Sequence, residues 1–148
     1  MTLLLELAVA TVMVALTVGL HLIGIAALLV VLRHHRARTG PGSTIVRDGM
    51  GIVAAAAGLF ALHAIEIWAY ALLYIAIHAL PDFETALYFS TTTYATIGYG
   101  DVVLPRGWRI LGAIEGANGL ILLGWSTAFF VAVVSRIRFL EIEMGTPS

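Results

Sequence analysis

From Leu3 to Leu32 the chain carries one acidic residue, Glu6, and one histidine, His21, in an almost unbroken apolar run. At about 1.5 Å per residue, a helix of that length exceeds the ~30 Å hydrocarbon core of a bilayer, so it crosses with tilt. Two more apolar segments follow, from about Met50 to Leu80 and from about Ile110 to Ile137. Both hold polar residues inside: His63 and Glu66 in one, Glu115 and Asn118 in the other. Charged residues make up 11% of the chain against 60% apolar, with a mean hydropathy of +0.97. A soluble domain covers its surface with about a quarter charged residues. This chain has too few, so lipid is its solvent. The first segment has neither the basic start nor the short apolar core of a cleaved signal peptide, and is expected to be retained. A length of 148 residues leaves room for one domain. The net charge of −1 argues against a nucleic-acid partner, and the lack of cysteine excludes disulfides, thiolate sites and iron–sulfur clusters.

Charge sets the expected topology. All eight basic residues are arginine. Arg33, Arg36, Arg38 and Arg47 lie between the first two segments, Arg136 and Arg138 follow the third, and only Arg106 and Arg109 fall on the opposite side. The positive-inside bias puts the amino terminus outside, and the 33–47 linker and carboxyl terminus in the cytoplasm. The linker contains Gly40-Pro41-Gly42 and reads as a solvated turn. His34 and His35 beside it read either as sensors of cytoplasmic pH or, more simply, as part of a basic anchor to anionic lipid.

Between the second and third spans, Pro81 to Pro105 is too polar to cross the membrane again. Pro81 stops the preceding helix, Asp82 is placed to cap a new one, and 83–94 is long enough for three turns. Thr96-Ile97-Gly98-Tyr99-Gly100-Asp101 follows. Irregular backbone at membrane depth is tolerated only where it is buried in protein or lines a water-filled cavity. Dehydrating a potassium ion requires a cage of oxygens, which backbone carbonyls supply if successive peptides face one way. Gly98 and Gly100 make the necessary positive φ available, and Thr96 can add a hydroxyl. One strand supplies a quarter of each ring, so the site needs four copies of the chain.

This segment resembles the pore loop of potassium channels, whose carbonyl-lined filter carries valine where Ile97 stands here. The resemblance runs from about Gly51 to Arg138, and Gly124-Trp125-Ser126-Thr127-Ala128-Phe129 is similar to a bacterial branch. It implies an all-α, tetrameric membrane protein with three transmembrane helices and one re-entrant pore helix per subunit. The expected parts are an additional helix at 1–32, a linker at 33–47, a pore domain at 48–138 and a short cytoplasmic tail at 139–148. Within the pore domain the outer helix takes 48–80, the pore helix 83–94, the filter 96–101 and the inner helix 109–138. Thr96, Ile97, Gly98, Tyr99 and Gly100 would form the filter, with potassium held at Thr96 to Tyr99. The first helix has no arginine ladder and does not resemble a voltage sensor.

In much-studied members of the family a pore-helix carboxylate and two tryptophans brace the filter; the matching positions here are Thr92, Tyr88 and Phe89. The resemblance therefore implies a Tyr88–Asp101 brace, with Phe89 packing against Tyr99. Glu115 reads either as a replacement carboxylate bonded to Thr92 or Thr93, or as a glutamate that satisfies some other neighbour. His63, Glu66, Tyr70 and Tyr74 share one helical face. They read either as a proton-sensitive His63–Glu66 latch or as an ordinary interhelical hydrogen bond. His63-Ala-Ile-Glu66 resembles a metalloprotease fragment, but Ile67 stands where the second histidine is required, so no metal is expected there. Projection from the family's pore-facing position gives Leu120, Leu123, Thr127, Val131 and Ser135 as pore lining, with a gate near Val131, or else a plain packing stripe. Gly119 is either a hinge or a point of close packing, and Gly112 and Gly116 form a small-residue pair. Trp108 is expected at the outer interface.

The expected function is passive potassium conduction by a homotetramer in membrane lipid, with potassium ions in the filter, no organic cofactor or substrate and no catalysed step. The rivals are a non-selective cation channel, told apart by its potassium-to-sodium permeability ratio, and a non-conducting accessory subunit. An intramembrane hydrolase would need a nucleophile and base that the chain does not offer. All-arginine usage and high alanine content associate it with a bacterial inner membrane.

Overall fold

The computed structural model describes residues 3–39 and 45–145, with side chains over 3–34 and 49–135. The described residues form four helices and no strand: α1 (Leu3–Thr39), α2 (Ile45–Ala76), α3 (Phe83–Tyr94) and α4 (Arg109–Gly145), the last preceded by a 3-10 turn at Arg106–Trp108. Three stretches are long and apolar enough to span a membrane: Leu3–His34, Gly49–Ala76 and Arg106–Ser135.

The helices outrun the apolar segments. α1 continues through 33–39 and α2 begins at Ile45, so most of the expected 33–47 linker is helical, and α4 continues through 139–145, in place of the expected tail. The reason is that arginine, alanine and glutamate are good helix formers; apolar character stops at the membrane boundary, whereas helicity does not. The Gly40-Pro41-Gly42 turn lies outside the described residues. At its other end α2 stops at Ala76, short of 80. His78 takes φ 54, with its amide bonded to Ile75 O at 3.0 Å and the Ala79 amide to Tyr74 O at 2.9 Å. That is a Schellman stop with histidine where glycine is usual.

α1 and α2 are antiparallel neighbours. Leu62 of α2 seats over Gly24 of α1, and Leu28 of α1 over Gly58 of α2. The buried face of α1 is a single stripe, Glu6, Ala10, Met13, Thr17 and His21, which packs against both α2 and α4. The exposed surface of α1 as far as Val31 is otherwise almost wholly apolar, as a lipid solvent requires. Polar residues thus mark the interior side of α1, the reverse of a soluble helix. Its first turn also stabilises α4. Glu6 Oε1 accepts from the amides of Ile110 at 2.7 Å and Leu111 at 3.2 Å, donors that have no partner inside the helix. A carboxylate there also meets the positive end of the helix dipole.

Candidate ion-conduction site

α3 positions the loop that follows it. Asp82 caps its start, with Oδ1 accepting from the Thr85 amide at 2.8 Å and Oδ2 from the Thr85 hydroxyl at 2.9 Å. These bonds hold the Asp82 carboxyl below the usual carboxylate range. At the other end the Thr92 carbonyl accepts from Ile97 N at 2.8 Å and Gly98 N at 3.0 Å, and Thr96 N reaches Thr93 O at 2.9 Å. The chain then alternates in handedness. Thr96, Gly98 and Gly100 take φ of 59, 56 and 78, while Ile97 and Tyr99 stay outside the positive region. For the glycines this is cheap. For the β-branched Thr96 it costs on the order of 1–3 kcal/mol, a strain that persists only where the surroundings impose it. Residues 96–101 are exposed on the subunit, Tyr99 at 71% and Ile97 at 52%.

The flanking residues fall as follows. Tyr88 donates its hydroxyl to Asp101 Oδ2 at 2.7 Å. That bond pushes the Tyr88 phenol up and holds the Asp101 carboxyl below its ordinary range. Within the subunit the Phe89 ring stands edge-on to Tyr74, centroids 5.3 Å apart, and lies over Gly112. Thr92 turns its hydroxyl back onto its own helix, to Tyr88 O at 3.1 Å and Phe89 O at 3.0 Å, and meets the following loop through its carbonyl.

Glu115 is fully buried, and its partners are neither Thr92 nor Thr93. Tyr74 donates to Oε2 and Ser90 to Oε1, both at 2.5 Å. The difference lies in the rotation of α3. Its buried residues are Ala86, Ser90, Thr92 and Tyr94, and of the Ser90 and Thr92 hydroxyls that of Ser90 is the one turned toward α2 and α4, reaching Ile67 O at 2.9 Å as well as Glu115. That rotation is fixed by glycines. Gly112, Gly116 and Gly119 of α4 accept Phe89, Thr93 and Tyr94 respectively, and a methyl on Gly119 would fall inside contact distance of the Tyr94 carbonyl oxygen. Gly119 is therefore a close-packing position within one continuous helix.

Two further polar networks lie behind α3. Asn118 donates to Thr17 Oγ1 at 2.8 Å and to Tyr70 at 3.4 Å. Glu66 lies at the centre of the other. His21 Nδ1 is 2.9 Å from its Oε1, His63 Nδ1 is 3.0 Å from its Oε2, and Tyr94 donates its hydroxyl to the same Oε2. His63 Nε2 reaches Ser126 Oγ at 2.8 Å, so an α2–α4 bond is present. No buried side-chain nitrogen or oxygen among the described residues lacks a partner. Sequence reasoning does not assign these roles to Glu6, Thr17, His21, Ser90, Tyr94 or Ser126. The signal available is polarity at helical spacing in apolar helices, Thr17 and His21 being one turn apart.

Of the residues projected to line a pore, Leu120, Thr127, Val131 and Ser135 lie on the exposed face of α4 and Leu123 is half-buried. The opposite face, through Leu111, Glu115, Asn118 and Leu122, packs on the rest of the subunit. Trp108 is half-buried in the 3-10 turn.

No curated protein and no solved structure matches the chain. A protein family described as ion channel matches residues 60–136, just over half the chain, from within α2 through the pore helix, the left-handed loop and most of α4. With three membrane-spanning helices around a re-entrant one, the chain belongs to this family of two-transmembrane, potassium-channel-like ion channels.

Proposed function

We propose that the chain is a subunit of a homotetrameric, potassium-selective channel in which Thr96, Ile97, Gly98, Tyr99 and Gly100 form the selectivity filter. The observation that carries the reading is the alternation of φ at Thr96, Gly98 and Gly100 on an exposed strand at the end of a capped pore helix. Alternating handedness is the backbone's means of turning successive carbonyls to one side, and a column of such oxygens replaces the hydration shell of potassium. The carboxyl end of α3 leads directly into this loop, and its partial negative charge favours a cation there. Fourfold assembly accounts for the exposure of Ile97 and Tyr99, large apolar side chains that one subunit leaves uncovered.

In this reading Tyr88, Asp101, Phe89, Thr92 and Glu115 support the filter, Asp101 directly and Glu115 through Ser90. The exposed face of α4, with Leu120, Thr127, Val131 and Ser135 and with the half-buried Leu123 beside it, lines the cavity, and the row narrows to an apolar gate at Val131. The arginine bias orients the amino terminus outward and the carboxyl terminus toward the cytoplasm.

Flux through purified protein in liposomes, under a potassium gradient with barium as blocker and sodium as competitor, tests this. Barium-sensitive flux that strongly favours potassium is expected. Flux without preference would reduce the assignment to a cation channel. Its absence in both wild type and a Val131→Gly variant would leave an accessory subunit.

A further inference from the structure

The fragment His63-Ala-Ile-Glu66 lacks a second histidine in its own segment, but the fold supplies one from another helix, 45 residues before Glu66. His21 of α1 lies against Glu66, and the ligand atoms of His21, His63 and Glu66 are all within 4.8 Å of one another. His21 and Glu66 are fully buried, while the His63 side chain, at 12% exposure, reaches the subunit surface. Among the described residues the only ion pairs are those between Glu66 and these two histidines, so no arginine neutralises the carboxylate. Ser126 Oγ lies 2.8 Å from His63 Nε2 and 3.4 Å from His21 Nε2. A hydroxyl oxygen has two lone pairs and one proton, so Ser126 can accept from both Nε2 atoms at once. In the tautomers with both Nε2 atoms protonated, both Nδ1 lone pairs point at the Glu66 carboxylate, with Tyr94 its one remaining donor. Such a convergence of electron pairs calls for a cation.

We propose that His21, His63 and Glu66 form a site for one divalent transition-metal ion per subunit, of the zinc type. Two imidazole nitrogens and one carboxylate oxygen are a donor set that zinc takes with a fourth position open. Magnesium and calcium require mostly oxygen ligands and are disfavoured. The Tyr94 hydroxyl, 3.0 Å from His63 Nδ1, stands beside the fourth position. Ser126 serves as the outer partner that holds both rings in the ligating tautomer. At 2.9 and 3.0 Å both Nδ1 atoms stand at hydrogen-bond distance from the carboxylate, and an entering ion takes the place of those bonds. The site spans all four helices through His21 on α1, His63 and Glu66 on α2, Tyr94 on α3 and Ser126 on α4. A bound ion would thus clamp α1 to the end of the pore helix, two residues before Thr96. This inference does not depend on potassium selectivity.

The test uses full-length protein without a histidine tag, stripped with chelator and re-equilibrated with cobalt(II) as the probe. Wild type is expected to retain about one cobalt per chain with the visible absorption of a four-coordinate ion, and zinc is expected to displace it. His21→Gln should lower affinity roughly 100-fold or more, and Ser126→Ala, which removes only an outer partner, roughly 10-fold. If His21→Gln does not yield folded protein, His63→Gln, at the ligand nearest the surface, carries the same comparison. Wild type that retains no cobalt above a magnesium-equilibrated control, or a folded ligand variant that binds as tightly as wild type, would overturn the proposal.

Discussion

Replacing Gly119 with alanine tests how the pore helix is held. A methyl on Gly119 would lie 2.9 Å from the Tyr94 ring carbon Cγ, 3.0 Å from its carbonyl carbon and closer still to the carbonyl oxygen, whereas ordinary contact begins at 3.4 Å. Tyr94 must retreat by roughly half an ångström or more. Rotamer change gives no relief, because most of the obstacle is backbone. Overpacking of this kind costs about 1–3 kcal/mol, and here the upper part of that range applies. Alanine recovers up to about 1 kcal/mol through helix propensity, which leaves a net loss of about 1–2 kcal/mol per subunit. Gly124 provides the control, since nothing lies within 4 Å of a methyl built there. Gly124→Ala should be neutral or slightly stabilising. The assay is thermal unfolding of purified protein in detergent, followed by potassium and sodium flux in liposomes. Gly119→Ala is expected to unfold earlier and to discriminate less between the two ions, because Tyr94 leads within two residues into Thr96. A Gly119→Ala protein as stable as Gly124→Ala would refute the close-packing account and restore Gly119 as a free hinge.

Three other perturbations follow from the hydrogen bonds. Tyr74→Phe leaves Glu115 Oε2 without its buried donor, which should cost about 1–3 kcal/mol in thermal unfolding. Its effect should be non-additive with Ser90→Ala by at least about 0.5 kcal/mol, because both serve one carboxylate; simple additivity would count against a shared network. Asp101 sits below its ordinary range because Tyr88 donates to it. A lowered carboxylate contributes its brace above the ordinary aspartate range and loses it as pH falls through the lowered value. Flux measured against pH on the filter side should show an acid limb in wild type that is missing from Tyr88→Phe, where no such bond remains to be lost, and the same acid limb in both proteins would exclude the brace. Glu6→Ala removes the cap on α4 and should destabilise by about 0.5–2 kcal/mol, whereas Glu6→Gln, which keeps an acceptor, should recover most of the loss in the same unfolding assay.

What the sequence discloses here, and what it withholds, divides along a physical line. The spans, the Asp82 cap and the turn-forming glycines are local properties, decided by a residue and its near neighbours, and all are legible in order along the chain. Glu115 illustrates the other case. That it is buried at membrane depth follows from its position, but its choice of Ser90 over Thr92 or Thr93 depends on the rotation of α3, which a row of glycines on α4 sets from a separate segment. His21 lies further from view, because its partner Glu66 belongs to another helix and its isolation in an apolar run gives no direction. Direction is supplied only by its company. Glu6, Ala10, Met13, Thr17 and His21 form one stripe, and in lipid the polar members of a stripe are the ones that must find protein. The same rule accounts for the helix ends, since hydropathy reports where the bilayer stops and α1 runs on through its arginines. It follows that the 96–101 loop and the side chains behind α3 obey different constraints. The loop is set by its backbone, so Thr96, Gly98 and Gly100 demand particular φ values and admit few residues. The networks behind α3 act through side chains that converge from separate helices, as Tyr74, Ser90 and Glu115 do here.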